Sequence, residues 1–239
     1  MTDPRLLRRD FLRLAATAGP AALLAACGWD GGPHLQPTLS VMSRLNDWVG
    51  EKILLSPTRL AREYPVSQRA GAAFPSYFIS PTLPVLADPA GWSLDVSGLV
   101  KRPMRLTMAM LQALPSVTYT VKHHCVEGWT AIATWTGVPL STVAALVEPL
   151  PAARYLRFDS FDQNYFNGWD MPSAMHPQTL LAYGYNDRPL MPDHGAPVRL
   201  YSPLKLGYKL TKYLSGITFT SNRPGGYWED QGYPWFGGV

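Results

Sequence analysis

Two histidines and a thiol stand together in His123-His124-Cys125-Val126-Glu127-Gly128-Trp129. These are side chains that bind metals, act as nucleophiles or carry protons. The chain has 2 Cys in 239 residues. The other is Cys27, close to the N-terminus. A solitary thiol has four readings. It can be a small buried apolar residue, the default for a free cysteine. It can be a zinc ligand, but successive strand residues point to opposite faces, which splits His123 from His124, and no spaced Cys or His pair supplies the other ligands. It can be a hydrolase nucleophile, which needs a His and an orienting Asn or Asp brought near by folding. It can also be the single thiolate on a soft redox metal whose remaining ligands come from an organic cofactor.

The N-terminus bears on the choice. Arg8-Arg9-Asp10-Phe11-Leu12 resembles a twin-arginine export signal, and a weakly apolar, Ala-rich stretch runs from Phe11 to Ala26. That stretch reads as a leader peptide, being short of the ~20 strongly apolar residues of a membrane span. Leu24-Ala25-Ala26-Cys27 resembles a lipobox, with Cys27 the residue to be acylated. Acylation would leave Cys125 without a disulfide partner in an oxidising compartment, where thiols tend to pair. The expected organisation is a leader over 1–26, a tether and short helix over 27–59, and one domain over 60–239.

Removing 1–26 from 239 residues leaves 213, enough for one large domain. Hydrophobic residues make up 46%, which supports a sizeable core. Of the formal charge of +4, the leader holds +2 (Arg5, Arg8, Arg9 and Arg13 against Asp3 and Asp10). The remaining +2, with no basic block, excludes nucleic acid as the expected partner. Pro 23 and Gly 20 point to many turns, hence a mixed α+β fold.

Elements that could position Cys125 follow from periodicity. Val41, Leu45, Trp48 and Val49 have helical spacing. The Pro-rich stretch from Ala61 to Pro84 reads as a long loop, of the kind that more often serves function. Ser93 to Gly98 alternates and predicts a strand. Leu106 to Leu114 predicts a helix capped by Thr107. The stretch from Val117 predicts a strand that delivers Cys125 directly. A helix follows in PLSTVAALV, and strands in RYLRFDS, APVRLYS and YLSGITFTS, the last interrupted at Gly216.

The segments HHCVEGWTAIATWTGVPLSTV and AMHPQTLLAYGYNDRPLMPDHGAPVRLYSPLKLGYKLTKYLSGITFT resemble the sulfite oxidase family of molybdopterin oxidoreductases over roughly residues 60–239. Cys-Val-Glu-Gly-Trp is similar to its bacterial exported branch, which includes the periplasmic methionine sulfoxide reductase catalytic subunits. The resemblance implies an α+β molybdopterin-binding domain carrying Mo-molybdopterin, with Cys125 as the protein ligand to molybdenum. Two-electron oxygen-atom transfer then cycles the metal between +6 and +4. Cofactor contacts carry over to Tyr77, Phe78, Ser160, His194, Arg199, Leu210, Thr211 and Lys212. The last three form a turn that would grip the pterin phosphate. Tyr165 matches a substrate-facing tyrosine, and Asp170 is a candidate pocket acid, with capping of a turn as its other expected role. Trp129 and Trp135 are expected as core or pocket wall.

One departure is informative. Sulfite oxidases carry arginines soon after the ligand cysteine, whereas no Arg follows Cys125 before Arg154. That favours reduction of a neutral S-oxide or N-oxide. The alternatives are sulfite-type oxidation and a non-enzymatic lipid-anchored binding module. No haem or flavin fingerprint is present, so electrons are expected from a separate partner, a membrane b-type cytochrome. A monomer in the periplasm, with the membrane close by, completes the expectation.

Overall fold

The computed structural model describes residues 36–71, 74–162 and 164–239. The expected leader and the tether as far as residue 35 lie outside the described residues. Except for the first turns of the N-terminal helix, everything below lies within one compact unit, Ser43–Val239.

The N-terminal helix α1, Gln36–Val49, is longer than its periodic core and runs into a wider turn over Gly50–Leu54. Two sheets build the rest. The first runs β2 (Met104–Thr107), β1 (Ser93–Gly98), β10 (Leu214–Thr220), β5 (Tyr155–Ser160), β6 (Phe166–Asp170). Its β1–β10 pair is parallel and the others antiparallel. The second runs β3 (Val117–His124), β4 (Thr130–Pro139), β7 (Leu180–Tyr185), β8 (Arg188–Pro189), with β9 (Arg199–Tyr201) also on β7. The helices α2 (Met108–Gln112), α3 (Leu140–Val147) and α4 (Met171–Ala174) are short.

Local chemistry accounts for the boundaries. Thr107 caps α2 as expected, its hydroxyl accepting from Met110 N at 3.3 Å, but the residues just before it pair with β1 as a strand. Strand β10 is continuous through Gly216, where the register with β5 shifts instead of breaking. The strands β4 and β7 are buried on both faces, so they lack the alternation that marks a half-exposed strand. The core includes Trp135 stacked on Tyr201 at 4.1 Å between ring centroids. Both are almost fully buried.

Strand β3 delivers the thiol as the sequence predicts. The turn from Cys125 to Trp129 closes the β3–β4 hairpin, with Cys125 N donating to Trp129 O at 3.0 Å and Gly128 N to Cys125 O at 3.1 Å. Gly128 sits at φ +90°, a left-handed conformation that any side chain would strain. Cys125 is thereby placed just past the end of β3.

Candidate functional site

Cys125 opens into a cavity of about 500 Å³. The same cavity is lined by Tyr77, Phe78, Ser160, Tyr165, His194, Arg199, Leu210 and Lys212. Residues scattered over more than 130 positions of sequence therefore meet in one place. Thr211 lies behind the wall, fully buried, and its hydroxyl has no partner among the described residues.

His123 and His124 separate as strand geometry demands. His123 is buried and lines the cavity, while His124 faces a second cavity of about 370 Å³ beside Asp47, Arg59 and Phe236. Burial, reinforced by the Arg199 charge, pushes the His123 imidazole down to about 3, so it is neutral at pH 7. Its Nδ1 has no partner among the described residues. The Cys125 Sγ lies 3.7 Å from Glu127 Oε2, which also accepts from Trp129 Nε1 at 3.0 Å. Burial raises the thiol above its ordinary value. Trp129 is cavity wall and Trp135 is core, as expected.

Two cations line the wall. Arg199, 3% exposed, donates to His194 O at 3.0 Å and Leu210 O at 3.2 Å. Lys212 Nζ donates to Ser76 Oγ at 3.1 Å, Tyr77 O at 2.5 Å and Asp193 O at 2.6 Å. Neither has a carboxylate partner among the described residues. Burial lowers Arg199 to about 10, and burial with the Arg199 charge lowers Lys212 to about 7. Buried positive charge solvated only by neutral oxygens is unstable without an anion.

The loop predicted as functional supplies one wall. Asp162 ties it down by accepting from Ile79 N at 2.9 Å, Ser80 N at 3.0 Å and the Ser80 hydroxyl. Tyr77 and Phe78 stand on the rim, 59% and 37% exposed. Ser160 Oγ donates to Lys212 O at 2.8 Å and accepts from Asp162 N at 3.0 Å, so it fixes the Lys212 turn. The buried His194 ring packs 4.3 Å from that of Tyr185.

Two expected catalytic residues need correction or refinement. Asp170 does not line the cavity. Its Oδ1 caps α4 by accepting from Ser173 N at 2.7 Å, and its Oδ2 faces the buried Lys205 ammonium at 3.4 Å. Its position at the start of a helix, after a strand, explains this role. Tyr165 reaches the cavity, but its hydroxyl donates to Tyr208 O and accepts from Asn167 Nδ2 at 3.4 Å. Its proton is already engaged.

Sequence reasoning missed the third wall, formed by Tyr227, Trp228 and Tyr233. Their rings contact one another edge-on or tilted, with centroids 5.2 Å apart for both Trp228 pairs. Glu229 pins this segment through an ion pair to the buried Lys209. The available signal was the density of aromatic residues in GGYWEDQGYPW, a run otherwise rich in Gly and Pro.

The donor set fits a molybdopterin. The two uncompensated cations suit a phosphate, while His123 Nδ1 and the Tyr213 hydroxyl, unpartnered among the described residues, remain to bond polar pterin edges. A side chain at Gly207 would put its Cβ 2.9 Å from His123 Nε2, so the bare backbone there keeps the wall open.

Comparisons with known proteins agree. The family model described as oxidoreductase molybdopterin binding domain matches residues 81–228. The putative protein-methionine-sulfoxide reductase subunit YedZ1 of Azospira oryzae is 40% identical over 97% of this chain and 87% of its own. The protein-methionine-sulfoxide reductase catalytic subunit MsrP of Campylobacter jejuni is 28% identical over 93% of this chain and 76% of its own. The crystal structure of the sulfane dehydrogenase SoxCD from Paracoccus pantotrophus shares the fold, with a TM-score of 0.55 at 22% identity. That match covers 58% of this chain and 40% of the SoxCD chain. This chain belongs to the sulfite oxidase-type molybdopterin-binding oxidoreductases.

Proposed function

We propose that this oxidoreductase reduces a neutral S-oxide, with electrons drawn from a separate membrane partner of the b-type cytochrome class. The observation that carries the reading is the company Cys125 keeps. The Glu127 carboxylate lies 3.7 Å from Sγ, while Arg199 and Lys212 are tied to backbone carbonyls at the wall proposed for phosphate. A sulfite dianion would meet negative charge beside the thiolate. A sulfoxide carries no net charge and avoids that cost. The relatives named as methionine-sulfoxide reductase subunits support the same substrate class.

When bound, Mo-molybdopterin supplies the two-electron oxygen-atom-transfer chemistry, with Cys125 Sγ as the protein ligand to molybdenum. The chain contributes binding and orientation. Arg199, Lys212 and the Leu210–Thr211 turn would hold the phosphate, and His194 and Ser160 would brace that turn. His123, kept neutral by burial, is suited to a hydrogen bond with the pterin. The aromatic wall of Trp129, Tyr227, Trp228 and Tyr233 would shield the reacting sulfur from water. Overall, the S=O bond breaks, sulfur keeps an electron pair, and oxygen leaves as water with two protons. Two electrons come from the partner. The leader reading places this reaction in the periplasm, with the domain organisation 1–26, 27–59 and 60–239. Among the described residues no helix is long and apolar enough to cross a membrane.

A steady-state assay tests the proposal. With a reduced viologen dye as donor, methyl sulfoxides should drive dye oxidation, and sulfite with ferricyanide should turn over poorly. Fast sulfite oxidation with a low KM would overturn it.

A further inference from the structure

Helix α1 is built inside out. Asp47 is the buried side chain among its described ones, 7% exposed, and it accepts from Trp235 N at 3.1 Å and Phe236 N at 2.7 Å while pairing with Arg223 at 3.0 Å. The large apolar side chains face away from the protein: Leu45 is 51% exposed and Trp48 53% exposed. They lie three residues apart, one above the other on a helix surface. Ile53, just beyond the helix, is 61% exposed. Val41, four residues before Leu45, is exposed too and extends the stripe in sequence. An ordinary surface helix turns such residues inward.

We infer that the outward stripe of α1, centred on Leu45 and Trp48, seats this protein on the surface of a lipid bilayer. Three features select lipid as the occupant. The stripe is a single convex row of a few side chains, too small for the ~800 Å² per partner of a stable protein interface. It combines Trp and Leu with the exposed cation Arg44, the mixture that settles at an anionic headgroup boundary, while the exposed Lys52 is paired with Glu51 at 2.7 Å. Gln36 follows Cys27 by only nine residues, a reach of about 30 Å at full extension. An acyl chain on Cys27, as the leader reading supposes, would hold the stripe within that distance of the membrane. A weak partition then suffices, because the tether supplies the local concentration. The docked helix would keep the enzyme beside a membrane-embedded electron donor.

The test uses exported, cofactor-loaded protein carrying Cys27→Ala, so that no acyl chain contributes. It is floated with vesicles of phosphatidylethanolamine and phosphatidylglycerol. A measurable fraction should float with the vesicles, and Leu45→Ser with Trp48→Ser should lower it about tenfold or more. Trp48→Ser alone should lower it severalfold. Val85→Ser, which removes a comparably exposed apolar residue elsewhere (62%), should leave it unchanged. Both substituted α1 residues are exposed, so melting temperature and molybdenum content should not move. Absence of flotation, or flotation indifferent to the α1 substitutions, overturns the inference. So does flotation that appears only when the vesicles carry extracted membrane proteins, which would make the occupant a protein.

Discussion

Lys212 offers a prediction in which stability and cofactor retention move in opposite directions. Its ammonium is lowered from the ordinary 10.5 to about 7 by burial and by Arg199. The charged form is therefore disfavoured in the fold relative to the unfolded chain. At about 1.4 kcal/mol for each tenfold change, the cost at pH 7 and below is at most about 5 kcal/mol. Partial solvent access and the three oxygen acceptors return part of it, leaving about 2 kcal/mol. Between pH 7 and 10.5 the unfolded chain binds more protons than the fold, so stability rises with pH across that window and is lost again as pH falls to 7. A bound dianionic phosphate removes the cost. Lys212→Met should therefore stabilise protein prepared without cofactor by about 4–8 °C at pH 6.5. It should also flatten the rise in melting temperature towards pH 10. The same variant should lose molybdopterin on gel filtration, while wild type retains it. Calorimetry from pH 6 to 10 measures the first effect, and pterin fluorescence of the eluted protein measures the second. A cofactor-free wild type whose melting temperature is flat from pH 7 to 10, with Lys212→Met no more stable, would refute the reasoning.

Four further outcomes are expected. Tyr165→Phe should lower turnover only about tenfold, because its proton is engaged with the Tyr208 carbonyl; a loss above ~1000-fold would mean that the hydroxyl turns to the substrate in the working enzyme. Asp170→Ala should cost roughly 3–5 kcal/mol in urea unfolding by stranding the buried Lys205, yet leave KM unchanged in whatever folds; a raised KM at wild-type stability would restore Asp170 to the pocket. Arg8→Lys with Arg9→Lys should trap folded protein in the cytoplasm, and Cys27→Ala should release exported protein from the membrane fraction under high salt; normal export of the first variant would point to the unfolded-chain route.

What could be read in advance divides along physical lines. Strands β1, β3, β5 and β10 and helix α3 have the alternation or apolar spacing of elements with one exposed face, and they appear near their expected places. Strands β4, β6 and β7 are buried on both faces or too short to show a period, and periodicity did not reveal them. Cys125 was legible because a strand runs straight into it. Arg199 and Lys212 were legible only through the family resemblance. As isolated cations they look like solvated surface residues, and only folding shows them without a carboxylate partner among the described residues. Tyr227, Trp228 and Tyr233 were not placed, since a Gly- and Pro-rich run carries no period. The buried Lys209–Glu229 pair that fixes them joins residues twenty positions apart. Asp170 stood between pocket acid and turn cap, because the two look alike in sequence, and the structure shows the cap.

The central claim is that Cys125 ligates molybdenum. The direct measurement is elemental analysis of protein exported by its own host, together with the visible absorption of wild type and Cys125→Ser. The account predicts one molybdenum per chain in wild type. Cys125→Ser should lose the thiolate-to-metal bands and nearly all turnover, because oxygen is a harder and less covalent ligand than sulfur, while part of the pterin stays bound through Arg199 and Lys212. Zinc in place of molybdenum, no molybdenum at all, or an unchanged spectrum in Cys125→Ser would contradict it.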